Sequence, residues 1–318
     1  MSTPLVSIIV PTHNRPILLL DTLNSIVAQT YCEVEAITVN DGGIPVEHVV
    51  QEVRKTGIRI TYACHASNRG LAAARNTGLR LAAGDYVTFL DDDDCLDGDY
   101  VARLVSAMVE SGAKVAYCDA RCVLEAPRLW RGYQQLCEFP WPSRKFDRDD
   151  LLASSLAPPH CFMVKTKCAR DVGGFDERLS AAADWDFWIR LSRDHDFLHV
   201  PRPLVSYRVR VDGTNMSFGN LHRQAAEHHR VMMKHRALVA QQPELREKQR
   251  AVYEGMVHHA ENNTTPLDYL IWRERAKRRQ RLLSLPVLSG LASCYRACRR
   301  AFRSTAETPK DTQPLKHR

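Results

Sequence analysis

The chain has 318 residues, 44% of them hydrophobic and 25% charged, a balance that excludes intrinsic disorder, collagen-like repetition and low complexity for most of its length. At about 100 to 200 residues per domain it forms one large domain or two smaller ones. Its net charge of +7 is unevenly held: residues 219–318 carry 20 Lys+Arg against 9 Asp+Glu, while residues 1–218 carry 24 against 28. No uncharged stretch reaches the about 18 to 20 apolar residues of a membrane span, and Leu282 to Tyr295 is interrupted by Pro286. The apolar run Leu5 to Val10 is short and β-like rather than a secretory leader, so a cytoplasmic protein is expected. Ten cysteines in such a chain read as reduced core residues, and the close pairs Cys118/Cys122 and Cys294/Cys298 lack a second pair at zinc spacing.

In chain order, Val6 to Val10 predicts a strand that ends at Pro11-Thr12-His13-Asn14-Arg15. Pro16 then opens a helix with Leu19, Leu20, Leu23, Ile26 and Val27 at helical spacing. A second strand, Glu35 to Val39, ends in Asn40-Asp41-Gly42-Gly43, and a third, Ile58 to Tyr62, leads to a helix near Leu71 to Ala83. Tyr86 to Leu90 predicts a fourth strand running directly into Asp91-Asp92-Asp93-Asp94. This alternation predicts an α/β fold with a mostly parallel central sheet, in which ligands bind beyond the carboxyl ends of the strands. Residues 120–160, where prolines interleave with Trp130, Tyr133 and Trp141, read as loops and short helices facing a substrate. A strand from Cys161 to Lys165, a helix from about Asp184 to Ser192, and short strands near Phe197 to Val200 and Ser206 to Val209 follow. Beyond Gly219 the pattern is helical and basic.

Four consecutive aspartates after an apolar strand repel one another unless a counter-charge is present. In extended chain, residues two apart face one way, so Asp91 and Asp93 could share a hard divalent cation, Mg²⁺ or Mn²⁺. The competing reading is a solvated acidic turn. Asp184 and Asp186 flank Trp185 at a helix start, where a carboxylate caps the helix or serves as a general base.

Taken together, Val6-Ser7-Ile8-Ile9-Val10-Pro11-Thr12-His13-Asn14-Arg15, Val39-Asn40-Asp41-Gly42, Asn68-Arg69-Gly70-Leu71-Ala72-Ala73-Ala74-Arg75-Asn76-Thr77-Gly78 and Gly84-Asp85-Tyr86 through Asp94 resemble family 2 glycosyltransferases with the GT-A fold. Gly173-Gly174-Phe175-Asp176-Glu177 and Asp184-Trp185-Asp186-Phe187-Trp188-Ile189-Arg190 continue the family's order. The resemblance covers about residues 5–217. It implies a GT-A domain over 1–218, with a nucleotide-sugar half to about residue 118 and an acceptor half from about 119, followed by a basic helical extension over 219–318. It also implies an inverting transfer from a nucleotide-diphosphate sugar, with a UDP-sugar favoured, to a saccharide or lipid-linked saccharide acceptor in cell-surface polysaccharide or glycolipid assembly. By the same resemblance, Thr12, Asn14, Arg15, Asp41, Arg75, Asp91 and Asp92 bind the nucleotide, Asp91 and Asp93 hold Mn²⁺ or Mg²⁺, and Asp184 is the base. For Arg75 a structural ion pair is an equal reading. Where many members place a metal-binding His, this chain has Arg210, which either contacts the diphosphate or is a solvated charge nearby. His160, Trp185 and Asp186 are further candidates for diphosphate or acceptor contacts. Ala183 stands where the family commonly has Glu.

Two alternatives are weighed against this. A sugar-phosphate nucleotidyltransferase would want a Gly-rich loop after the first strand, and Pro11 to Pro16 has no glycine. A non-catalytic, membrane-docked nucleotide-binding module has no use for Asp91, Asp93 and Asp184 together. Residues 273–318 carry 13 Lys+Arg and 3 Asp+Glu, with Leu288, Leu291, Cys294, Tyr295, Cys298 and Phe302 at helical intervals. That pattern fits either a helix on the inner face of the cell membrane or one packed on the acidic domain. No nucleic-acid motif accompanies the charge, and no nucleic-acid partner is expected.

Overall fold

Strand β1 (Val6–Thr12) is buried at all seven positions, the signature of a parallel strand covered on both faces. Its β-branched residues suit the pleat, and Pro16 starts α1 (Pro16–Val27), whose Leu19, Thr22, Leu23 and Ile26 are buried at helical spacing. The structure is a computed structural model that describes residues 3–262 apart from 129–131, 142, 213 and 216–219. The chain continues through β2 (Val34–Asn40), α2 (Glu47–Arg54), β3 (Arg59–Cys64), α3 (Leu71–Leu81), β4 (Tyr86–Phe89) and the two-residue β5 (Cys95–Leu96). Next come α4 (Tyr100–Ser111), β6 (Val115–Pro127), β7 (Tyr133–Trp141), α5 (Arg148–Ala153), β8 (Phe162–Lys165) and α6 (Thr166–Asp171). Helix α7 (Ala183–Leu191), β9 (Phe197–Arg210), α8 (Leu221–Lys234) and α9 (Pro243–Glu261) complete the described elements.

One sheet runs β3-β2-β1-β4-β8-β6-β9-β5, with β7 paired to β6. Strands β1 to β4 are mutually parallel, but β8, β7 and β5 each pair antiparallel, so the sheet is mixed rather than mostly parallel. Helix α3 packs on β1 and β2, and α4 on β6 and β9. At Gly78 in α3, an added Cβ would meet Ile9 Cγ2 at 2.3 Å, which is why the helix sits so close to the sheet.

The expected loops over 120–160 are instead largely the long β6/β7 hairpin. Pro140 is tolerated because β7 pairs on one side only, through β6, where Pro140 faces Arg121. Likewise, the two short strands expected near 197–209 are one strand, β9. Its prolines are absorbed by register shifts against β6 around Asp119, which pairs with Pro203.

Aromatic packing joins the end of β4 to α7. Phe89 meets Phe175 edge-on at 4.7 Å, Phe175 stacks on Phe187 at 4.4 Å, and Phe162 stacks on Trp188 at 4.2 Å. The apolar positions of α7 therefore fix where its first turn lies relative to the acidic run after β4.

Part of the basic extension is docked on the domain. The fully buried Asp186 carboxylate accepts Arg190 Nε at 2.9 Å and His235 Nε2 at 2.8 Å, and lies 2.7 Å from Lys234 Nζ. Lys248 pairs with Asp150, and Gln249 donates to the Leu152 carbonyl at 2.8 Å. Burial pushes the Asp186 carboxyl up, but hydrogen bonds from His235 and Lys234 and the charge of Arg190 outweigh it and hold it at about 2. The strongly basic residues 273–318 lie outside the described residues. Among the described residues no helix is long and apolar enough to cross a membrane.

Asp186→Ala leaves a buried cationic cluster without its anion and should cost about 3 kcal/mol in urea unfolding at neutral pH. Because the folded carboxyl titrates below its unfolded range, this contribution is full above pH ~4 and disappears as pH falls through about 2. Equal stability of the two proteins at pH 7 would contradict this role.

Candidate functional site

Three strand ends meet in one acidic, guanidinium-lined cradle. The first contributes the loop after β1. Thr12 Oγ1, buried, donates to Asp92 Oδ2 at 2.7 Å. Arg15 Nη1 donates to Asp93 Oδ2 at 2.9 Å and to Asp92 Oδ1 at 3.3 Å, and its Nη2 donates to the Thr214 carbonyl at 2.9 Å. Asn14, in the left-handed region at φ 61°, turns the loop, and its Oδ1 accepts the Ile44 N–H at 2.8 Å.

The second contributes Asp41, buried at the end of β2. Its Oδ1 accepts the Arg69 N–H at 2.9 Å and lies 2.6 Å from His65 Nδ1, while Oδ2 accepts the Gly70 N–H at 2.7 Å. One carboxylate thus anchors the loop that leads into α3. Gly42 makes that approach possible: its φ is +68°, and an added Cβ would lie 2.3 Å from the Ser67 carbonyl carbon.

The third is the run Asp91 to Asp94. It is a turn rather than an extended strand, closed by the Asp94 N–H donating to the Asp91 carbonyl at 3.2 Å. Turn geometry brings Asp91 and Asp94 to one side, and with buried His160 they form a group whose ligand atoms all lie within 4.8 Å of one another. Asp93, expected beside Asp91, points instead to Arg15 and Arg210. Strand alternation in β9 puts Arg208 and Arg210 on one face. Arg208 donates Nε to the Asp93 carbonyl and its backbone N–H to Asp94 Oδ1, each at 2.7 Å. Arg75, buried in α3, donates to Asp91 Oδ1 at 2.6 Å and lies 5.4 Å from the centre of the Phe175 ring.

The electrostatics follow from this crowding. Burial opposes ionisation of Asp91, but Arg75, then His160 and Arg15, hold its carboxyl below the usual carboxylate range. Burial and the Asp93 charge push Asp92 up to about 7 in spite of Arg15 and Thr12. Burial, then Asp93 and Asp91, push Asp94 well up. Burial lowers His160 to about 4, against the pull of Asp91 and Asp93, so the imidazole is neutral at physiological pH.

Both ring nitrogens of His160 are buried and lack a hydrogen-bond partner, although Nδ1 is 3.0 Å from Asp94 Oδ2. A neutral imidazole orphaned between two carboxylates has the donor set of a divalent-cation site, so the residues fit such an ion. The nitrogen donor favours Mn²⁺ over Mg²⁺, which prefers an all-oxygen shell. Asp91 is common to this group and to the pair expected from the sequence, and the second carboxylate of the group is Asp94.

Asp184 lies in the first turn of α7 and is only partly buried; among the described residues its carboxylate has no partner. Trp185 and Asp186 turn inward, with Trp185 Nε1 donating to the Leu151 carbonyl at 2.6 Å. The structure thus joins Thr12, Arg15, Asp92, Asp93 and Arg210 in one network and Arg75 to Asp91, and leaves Asp41 and Asn14 holding adjacent loops. Sequence reasoning passed over His65, Arg208 and Asp94. The only signal for Arg208 was the need of four adjacent carboxylates for more counter-charge than Arg15 and Arg75 supply.

The family model for glycosyl transferase family 2 matches residues 7–173, more than half of the chain. The chain belongs to glycosyl transferase family 2. The chain is 41% identical over 112 residues to the glycosyltransferase GlyA of Streptococcus pneumoniae, covering 35% of this chain and 16% of that protein. It is 27% identical over 232 residues to a chondroitin synthase of Escherichia coli, covering 72% of this chain and 32% of the synthase. The chain therefore spans about a third or less of either relative. Among solved structures, S. aureus TarS 1–349 in complex with UDP superposes with a TM-score of 0.56 at 20% identity, over 77% of this chain and 68% of that one. The mannosyltransferase PcManGT of Pyrobaculum calidifontis, in complex with GDP-Man and Mn²⁺, gives 0.53 at 18% identity, over 96% and 84%. These likenesses show the GT-A fold.

Mn²⁺ at about 100 times its dissociation constant should stabilise the protein by about 2.7 kcal/mol in thermal unfolding. His160→Ala should remove that increment, and an undiminished Mn²⁺ effect in the variant would place the ion elsewhere.

Proposed function

We propose that this protein is an inverting glycosyltransferase that moves a sugar from a nucleotide-diphosphate donor to an acceptor hydroxyl. The observation that carries the reading is the acidic turn after β4, gripped by Arg15, Arg75 and Arg210 in a chain of this family. In the proposed reaction the acceptor oxygen bonds to the anomeric carbon from the face opposite the diphosphate. The bond to the diphosphate breaks with its electron pair passing to the leaving oxygen, so one displacement inverts the centre. Asp184 takes the acceptor proton. Its carboxylate is suited to this because it is partly exposed and, among the described residues, unengaged, whereas Asp186, two residues on, is saturated by cations and serves to hold α8.

Around the donor, Thr12, Asn14, Arg15, Asp41, Arg75, Asp91 and Asp92 form the nucleotide side of the site. Mn²⁺ would be held by Asp91, Asp94 and His160, with Asp93 adjacent, and supplies Lewis-acid stabilisation of phosphate charge when bound. A UDP-sugar is the favoured donor, in keeping with the UDP held by TarS, with the GDP-mannose held by PcManGT as the competing case. The chondroitin synthase likeness supports a saccharide acceptor in polysaccharide or glycolipid assembly. The basic residues 273–318 would bring the enzyme to a lipid-linked acceptor at the inner face of the cell membrane.

Asp184→Asn should reduce transfer by about 10² to 10⁴, the usual range for a general base, while leaving nucleotide binding within twofold. Turnover that survives this change would remove the base from Asp184. For the donor, thermal unfolding against UDP, GDP and TDP should show a shift with one base, and the absence of any shift would sink the nucleotide-sugar reading. Vesicles containing anionic lipid should float the full chain but not one ending at residue 272.

A further inference from the structure

Arg210 is fully buried, and its cation is incompletely satisfied. Its Nη2 donates to Asp93 Oδ2 and its Nε donates to Thr214 Oγ1 at 3.0 Å, with the guanidinium over the Tyr133 ring at 5.2 Å. Nη1 is buried with no hydrogen-bond partner. An N–H left bare in a protein interior is destabilising, so the geometry is complete only when an acceptor arrives. Arg15 donates to the same Asp93 oxygen at 2.9 Å and is itself about a quarter exposed, at 23% of its side chain. Two guanidiniums therefore share one carboxylate oxygen, which holds them side by side, with Arg15 also 3.3 Å from Asp92 Oδ1. Asp93 itself, with that oxygen taken by both arginines, is poorly placed to ligate a cation.

We infer that Arg210 and Arg15 form a guanidinium clamp for the donor's diphosphate, so that the leaving group's charge is met by the chain's own cations independently of any divalent ion. Asp93 is the positioning residue that aligns the two. As the anomeric carbon–oxygen bond breaks, the electron pair passes to the departing diphosphate oxygen. Nη1 of Arg210 then gains the acceptor it lacks, through a charge-assisted hydrogen bond that strengthens as the negative charge develops. The acceptor proton goes to Asp184, and no further reactant is required. This inference rests on the reading of the site as a nucleotide-diphosphate site.

The test uses the full chain and whichever of UDP, GDP and TDP binds it best, together with the matching monophosphate, by calorimetry in EDTA and again in Mn²⁺. Arg210→Gln should weaken diphosphate binding at least tenfold in both media while changing monophosphate binding less than twofold, with Arg210→Lys intermediate. Equal loss of both nucleotides, loss confined to the Mn²⁺ series, or no loss at all would overturn the clamp while leaving the nucleotide site intact. If no diphosphate binds the unaltered chain, the reading of the site fails and the clamp with it. Should Arg210→Gln fail to fold by its melting curve, Arg15→Gln, at a partly exposed position, carries the same comparison with the same expected and contrary outcomes.

Discussion

Neutralising the acidic turn at the end of β4 is the constraint on which the rest of the site depends. Each buried carboxylate gives up several kcal/mol of hydration, and like charges about 4 Å apart repel by about 1 kcal/mol in water and about 4 kcal/mol at an effective dielectric of about 20. Asp91, Asp92, Asp93 and Asp94 can share one turn because Arg15 arrives from β1, Arg75 from α3, and Arg208 and Arg210 from β9. The remaining excess appears as a shared burden: Asp92 and Asp94 hold their protons more tightly than free carboxylates, and His160 remains neutral beside them. The turn is in this sense an incomplete electrostatic object that the surrounding guanidiniums bring toward balance.

The scaffold delivers these groups by ordinary packing. Parallel strands β1, β2 and β4 bring their carboxyl ends together, and close approach at Gly78 and Gly42 lets α3 and its leading loop settle against them. The aromatic contacts among Phe89, Phe175 and Phe187 tie α7 to β4, so the partly exposed Asp184 and the buried Asp186 sit on one rigid turn with different environments.

Much of the N-terminal half was legible in the sequence because its strands are continuous β-branched runs and its loops follow them directly. Val6 to Val10, Glu35 to Val39 and Tyr86 to Leu90 all lie within strands or at their ends. The β6/β7 hairpin was not legible, because Pro140 reads as a breaker until its edge position is known, and β9 was split at prolines that a register shift accommodates. Within the site, Asp91, Arg15 and Arg210 could be named from strand ends and from resemblance. Asp94 could not, because the choice between Asp93 and Asp94 turns on whether four residues form a strand or a turn, which a string of identical aspartates does not encode. Arg208 and His160 enter from β9 and from the turn before β8, more than 60 residues further along the chain, and local pattern carries no information about such pairings.

The clamp on Asp93 also has a consequence in time. Its two arginines lie far apart in the chain, at positions 15 and 210, and the carboxylate they share is 117 residues from the second of them. A chain emerging from the ribosome makes β1, β4 and the whole acidic turn long before residue 210 exists. Until β9 is synthesised and pairs with β6, the nascent N-terminal half holds a cluster of like charges missing two of its four guanidiniums. The cradle therefore becomes whole only after β9 has been synthesised and has paired with β6.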